Sequence, residues 1–376
     1  MRCLICATVL CLLPAATRAG DAKANTLTPA EVAEGWLLLF DGKTTFGWSV
    51  DGEGAVEKGA LAFGGKRITA GALTTRFSSF EMRAECRCEG AEQARVVIKR
   101  GFASTPQVIP RVEGATGWDT LTVRVDFDPT QKKETSTITF VSASGNNTSN
   151  NNSSVDGVSG SASLRFEAPG GTKLRLRNVK LRPTEMKSIF NGKNLTGWKE
   201  FSGKKSKFTV NAKGELNVKN GPGDLQTDGK WDNFVLQLEC ISNGKHLNSG
   251  VFFRCRAGEY QNGYEAQIQN GYKGDDRTKP TDFGTGAIYR RVPARMVVPN
   301  DHEWFTMTVV ADGKHLSTWV NGIQVVDWTD DRPLDDNARK GCCLNAGHIS
   351  LQGHDPTTDL SFRNIRIVEL KDEKKN

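Results

Sequence analysis

The run Phe305-Thr306-Met307-Thr308-Val309-Val310-Ala311-Asp312-Gly313-Lys314-His315-Leu316-Ser317-Thr318-Trp319-Val320-Asn321-Gly322 decides the fold class. It holds two short segments rich in β-branched and aromatic residues, each followed by a pair, Asp312-Gly313 and Asn321-Gly322, that tolerates positive φ. A type I′ hairpin turn needs such pairs, so the run reads as strands joined by tight turns. Val235-Leu236-Gln237-Leu238-Glu239 has the same character. Helical periodicity is confined to Thr28–Gly35, where Thr28 suits the cap, Pro29 the first turn and Glu31 the third position. Many short strands with turns between them predict an all-β chain of the jelly-roll sandwich kind.

The pattern occurs twice. Phe40-Asp41-Gly42-Lys43 leading to Gly47-Trp48 returns as Phe190-Asn191-Gly192-Lys193 leading to Gly197-Trp198. Phe77-Ser78-Ser79-Phe80 before Glu85-Cys86 returns as Trp231-Asp232-Asn233-Phe234 before Glu239-Cys240. A repeat of this length is a whole domain, so the 376 residues are expected to form two tandem β-sandwiches, at 31–183 and 184–370. The Ser/Asn/Gly-rich stretch Ser142–Ser161 reads as a mobile loop inside the first.

Residues 1–19 read as a secretory signal peptide: Met1-Arg2, an apolar run from Cys3 to Ala16, then small residues at Thr17-Arg18-Ala19. That run is shorter than the ~20 residues a membrane helix needs. The expectation is an exported protein, periplasmic or extracellular, with no transmembrane segment. Six cysteines remain beyond it (Cys86, Cys88, Cys240, Cys255, Cys342, Cys343), which predicts buried thiols with one or two bridges. The charge of +7, from 50 Lys+Arg against 43 Asp+Glu, is not clustered with aromatics, so no nucleic-acid partner is expected. Oligomeric state is not legible, no cofactor is indicated, and a divalent metal is left open.

The two copies differ in chemistry. All five His and all four Tyr lie in the second. Period-two alternation sorts its polar residues onto one face of each strand: Glu265, Gln267 and Gln269 opposite Tyr264, Ala266 and Ile268; Arg254 opposite Val251 and Phe253; Ser350, Gln352 and His354 opposite Ile349 and Leu351. At the positions of Arg254, Gln352 and His354 the first copy carries Lys99, Arg165 and Glu167. Rows of Glu, Gln, Arg and His can bind sugar hydroxyls and move a proton, and the reading brings guanidinium, carboxylate and imidazole into one cavity.

In the second copy, Phe190-Asn191-Gly192-Lys193-Asn194-Leu195-Thr196-Gly197-Trp198, Asn248-Ser249-Gly250-Val251-Phe252-Phe253-Arg254, Gly263-Tyr264-Glu265-Ala266-Gln267-Ile268, Thr285-Gly286-Ala287-Ile288-Tyr289 and Gly347-His348-Ile349-Ser350-Leu351-Gln352-Gly353-His354 follow one another in order. This half resembles the 3-keto-disaccharide hydrolase domain family, also described as 3-keto-glucoside 1,2-lyase / 3-keto-2-hydroxyglucal hydratase; the first copy resembles a divergent relative. The resemblance implies concanavalin-like jelly-roll sandwiches with a sugar site on the concave face. It also implies cleavage of 3-keto-glycosides by C2 proton abstraction, elimination and hydration. On that implication Glu265 or His354 moves the proton and Arg254 stabilises the enolate. Gln267, Gln352 and Ser249 bind the substrate, and Tyr289 or Tyr272 stacks on the ring or assists the leaving group. The implied partner is an oligosaccharide or other glycoside. Asn270 stands where the family has Asp, Phe305 where Asn follows Glu-Trp, and Gly353 and Asp355 alter its Leu-Gln-Asp-His-Gly. The alternative is a non-catalytic pair of carbohydrate-binding or cell-surface adhesion sandwiches.

Overall fold

The hairpin strands form as the alternation requires. Phe305–Asp312 pairs antiparallel with His315–Val320, which pairs in turn with Ile323–Thr329. Asn321 and Gly322 both take positive φ between Val320 and Ile323, as expected. At the first turn the register is Asp312 with His315, so Gly313-Lys314 forms the tip and Asp312 belongs to the strand. The computed structural model describes residues 23–110, 117–145 and 148–370; the expected signal peptide at 1–19 lies outside them. Among the described residues no helix is long and apolar enough to cross a membrane. Pro29–Ala33 is helical, with the Thr28–Glu31 capping box in place.

Each half is a two-sheet sandwich around its own apolar core. In the first, the face sheet runs Trp48–Asp51, Thr69–Leu73, Ala162–Ala168, Arg95–Arg100, Ala103–Val108. In the second it is built from β1 (Trp198–Glu200), β2 (Gly223–Thr227), β3 (Ser249–Cys255), β4 (Tyr264–Ile268) and β5 (His348–Gly353), in the order β1-β2-β5-β3-β4. The two sheets match strand for strand, which is the sequence repeat in three dimensions.

The opposing sheets of the two halves are one sheet. Leu37–Leu38 pairs antiparallel with Thr172–Pro183 and, through Leu38 and Ile323, parallel with Ile323–Thr329. Around this seam Arg76 bonds both oxygens of Asp312, at 2.7 and 2.8 Å, and Arg295 reaches Asp41 at 2.7 Å. Trp319, from the second half, is buried in the first half's core against Phe77. Trp319→Ala leaves an indole-sized hole in that core and is expected to cost about 3–5 kcal/mol, read as a lower Tm by calorimetry.

Three expectations are corrected. Residues 148–156, expected as a mobile loop, form a strand antiparallel to Lys133–Val141 over nine residues. Its Ser, Asn and Thr side chains suit an edge strand, whose backbone pairs on one side while neither face needs apolar cover. No disulfide joins the described cysteines: Cys86, Cys240, Cys255, Cys342 and Cys343 are buried thiols, and Cys88 is half-buried. Cys86 lies in one core and Cys240 and Cys343 in the other. Arg254 and His354 leave the polar row, and the substrate-binding candidates Ser249 and Tyr272 stand off it, for reasons given next.

Candidate functional site

Alternation along β2, β3, β4 and β5 sends Leu225, Val251, Phe253, Tyr264, Ala266, Ile268, Ile349 and Leu351 into the core. The opposite face is therefore assembled from the residues between them. Register lines these up in two rows across the sheet. One runs Gln226–Ser350–Phe252–Glu265; the other sets Asp224 beside Gln352 and Gly250 beside Gln267.

This face is polar yet closed to solvent: Asp224 is 1% exposed, Gln267 0%, Ser350 0%, Gln352 3% and Glu265 5%. Loops cover it. Gln261 in the 256–263 loop donates its backbone N–H to Asp224 Oδ2 at 2.8 Å, and its side-chain amide donates to the Tyr260 hydroxyl at 2.9 Å. Tyr260 stands 5.5 Å from Phe201, with the Lys204 ammonium 3.9 Å above its ring. On the far side Tyr289 donates its backbone N–H to Glu265 O and meets Phe283 edge-on. Arg339, from the loop before β5, lies over Phe252 and approaches Glu265 Oε2 with Nη2 at 3.4 Å.

Buried polar atoms almost always have a partner, because an unpaired one costs about 1–3 kcal/mol. Here Asp224 Oδ1, Gln267 Oε1, Ser350 Oγ and Gln352 Oε1 have none, and neither do Arg339 Nε and Asn262 Oδ1 on the flanking loops. Six of the nine such atoms among the described residues thus gather at one place. Such a concentration leaves several donors and acceptors at one place open to a polar ligand. Burial also raises its carboxyls: Glu265 is pushed up to about 7 against the counter-effect of Arg339, and Asp224 to about 6.

Glu265, Gln267 and Gln352 stand on the face as the alternation expects, and Gln267 Nε2 is steadied by Asn248 and Asp282. Arg254 is not brought there. A β-bulge between Phe252 and Cys255 and a φ of 52° break the parity of β3. The guanidinium instead donates to the carbonyls of Asp232, Gly313 and Cys343 at 2.7–2.9 Å and to Asn233 Oδ1. His354 lies one residue past β5, exposed, its imidazole 2.8 Å from Asp355. Ser249 shares the core parity of Val251, and its hydroxyl donates to Gln352 O at 2.7 Å. Tyr272 sits beneath the Arg277 guanidinium, away from the two rows. Asn270 donates to Asp301 at 3.0 Å, where an Asp would set two carboxylates against each other, and Phe305 is core. Arg339 and Asp224 are the site residues that alternation within the three strands read above does not reach. Among the described residues no group of three or more His, Cys, Asp or Glu is arranged to hold a metal ion.

Gly250 has a specific duty. A Cβ there would stand 2.6 Å from Glu265 Oε1, so the glutamate lies directly over this glycine. Gly250→Ala is expected to leave the circular dichroism spectrum unchanged while displacing the carboxylate by about an ångström. Activity that depends on Glu265 should fall roughly 10²-fold.

Residues 185–368 match the family described as the 3-keto-alpha-glucoside-1,2-lyase-like domain. Among solved structures the chain is similar to two proteins of Parabacteroides distasonis ATCC 8503, each described as a "putative glycosyl hydrolase". One is 21% identical with a TM-score of 0.41, covering 50% of this chain and 94% of that one. The other is 25% identical with a TM-score of 0.35, covering 46% and 99%. A carbohydrate-binding module of Bacillus subtilis is 14% identical with a TM-score of 0.32, covering 45% and 93%. No curated protein matches the chain. The second half of the chain, residues 185–368, belongs to the 3-keto-alpha-glucoside-1,2-lyase-like domain family, and the protein is carbohydrate-active.

Proposed function

We propose that this half cleaves glycosides bearing a ketone at C3, by abstraction of the C2 proton, elimination of the C1 substituent and addition of water. The observation that carries the reading is the buried polar face whose Asp224, Gln267, Ser350 and Gln352 atoms lack partners beside a carboxyl poised near neutrality. A C3 ketone acidifies the C2 hydrogen because the resulting charge spreads onto the carbonyl oxygen. Glu265, desolvated and raised to about 7, is a base matched to that proton at neutral pH. Arg339 supplies a cationic donor beside it for the enolate oxygen, in the place first given to Arg254. Gln267 and Gln352 accept sugar hydroxyls through their open oxygens. Tyr289 walls the Glu265 end. Export through residues 1–19 belongs to the same reading, which puts the enzyme where glycosides are met outside the cytoplasm.

The test is incubation with a 3-keto-disaccharide in deuterium oxide. Deuterium entering C2, release of the leaving sugar and transient enone absorbance are expected. Saturable binding with neither exchange nor cleavage would identify a carbohydrate-binding module and overturn the proposal.

A further inference from the structure

The face carries a second carboxyl. Asp224 is more buried than Glu265, has Oδ2 fixed by the Gln261 N–H, and has Oδ1 open. Its register neighbour Gln352 also has an open acceptor, so two acceptors stand side by side without a donor between them. That arrangement suits a protonated carboxyl, a ligand hydroxyl, or both. β2 and β4 are separated by β5 and β3, three inter-strand steps of ~4.8 Å, and Glu265 leans one strand inward over Gly250. The carboxyls are thus separated by on the order of 10 Å, too far to share a proton. The Tyr260–Phe201–Lys204 wall adjoins Asp224, whose backbone carbonyl accepts from the Phe201 N–H and whose Oδ2 accepts from the Gln261 N–H next to Tyr260.

Resting on the proposed chemistry, we infer that Asp224 is a second catalytic residue, the acid that protonates the departing glycosidic oxygen, with the Tyr260 wall receiving the leaving group. The steps balance. Glu265 carboxylate takes the C2 proton, and the C2 electron pair forms C1=C2 as the C1–O bond breaks. The leaving oxygen takes its proton from Asp224, giving an enone, a protonated Glu265 and an ionised Asp224. Asp224 carboxylate then removes a proton from water as its oxygen bonds to C1, and Glu265 returns its proton to C2, restoring both groups. Burial, which raises Asp224 to about 6, keeps a protonated fraction available in weakly acidic solution.

The experiment compares Asp224→Asn with the unaltered protein on two 3-keto-glucosides, one with a sugar leaving group and one with p-nitrophenolate, which departs without a proton. On the sugar substrate Asp224→Asn is expected to lose about 10²–10³-fold in kcat. On the nitrophenyl substrate the loss should be at least tenfold smaller, and deuterium exchange at C2 should persist. The variant should also lose the alkaline fall in kcat/KM, since only the base then titrates. Equal losses on both substrates, or an unchanged alkaline limb, would reduce Asp224 to a positioning residue for the 256–263 loop and overturn the inference. Absence of C2 exchange in the unaltered protein would instead sink the proposed function itself.

Discussion

Glu265→Gln is expected to abolish deuterium entry at C2 and to lower turnover of a 3-keto-glycoside by roughly 10²–10⁴-fold, the range a positioned base contributes. The amide keeps the shape of the carboxyl, so the face should stay assembled and substrate should still bind. In the unaltered protein kcat/KM should be bell-shaped, highest between about 6 and about 7, because Glu265 must be ionised while Asp224 is protonated; in Asp224→Asn it should instead climb until Glu265 ionises near 7. Stability moves the other way. A carboxyl raised by burial stabilises the fold fully below its ordinary range near 4.3, and that contribution disappears as pH rises through about 7. Glu265→Gln removes the loss, so its Tm should exceed that of the unaltered protein at pH 8 and match it at pH 4. Full turnover in the variant would remove the carboxylate from the chemistry.

Arg254→Ala should have its large effect on folding. The guanidinium ties the 231–234 turn, the 313 hairpin tip and the 343 loop together through three carbonyls. Each carbonyl left without a donor costs about 1–3 kcal/mol, several kcal/mol in all. At roughly 2–4 °C per kcal/mol for a domain of this size, Tm should drop by about 10 °C. Arg254→Lys, with three donors on one nitrogen, should recover only part of it. If Arg254 held the enolate, Ala would instead stop C2 exchange with little change in Tm, and calorimetry beside exchange separates the two.

The sequence exposed what depends on period two and hid what depends on its interruption. Glu265, Gln267, Ser350 and Gln352 could be placed because their neighbours Ala266, Ile268, Ile349 and Leu351 had to enter the core. Arg254 obeyed the same spacing until a bulge turned it, and no residue type in Phe253-Arg254-Cys255 announces a bulge. His354 was lost to a strand that stops one residue earlier. Arg339 meets Glu265 from 74 residues away on an irregular loop, where spacing carries no information. Asp224 had a faint signal: in Gly223-Asp224-Leu225-Gln226-Thr227 one apolar residue sits between two polar ones, the pattern of the other face strands. The polar strand 148–156 lacked even that, being built of residues that ordinarily mark loops.

The shared seam at Leu38 and Ile323 bears on how the protein persists. The half without the polar face caps a strand edge that would otherwise stand open to other chains, and it shelters the Trp319 indole. Expressed alone, the second half would present that edge, with Trp319 uncovered, as an adhesive flank. The first half's side of the border at Leu38 and Ile323 is therefore the part of it on which the second leans, whatever the first half's own face carries.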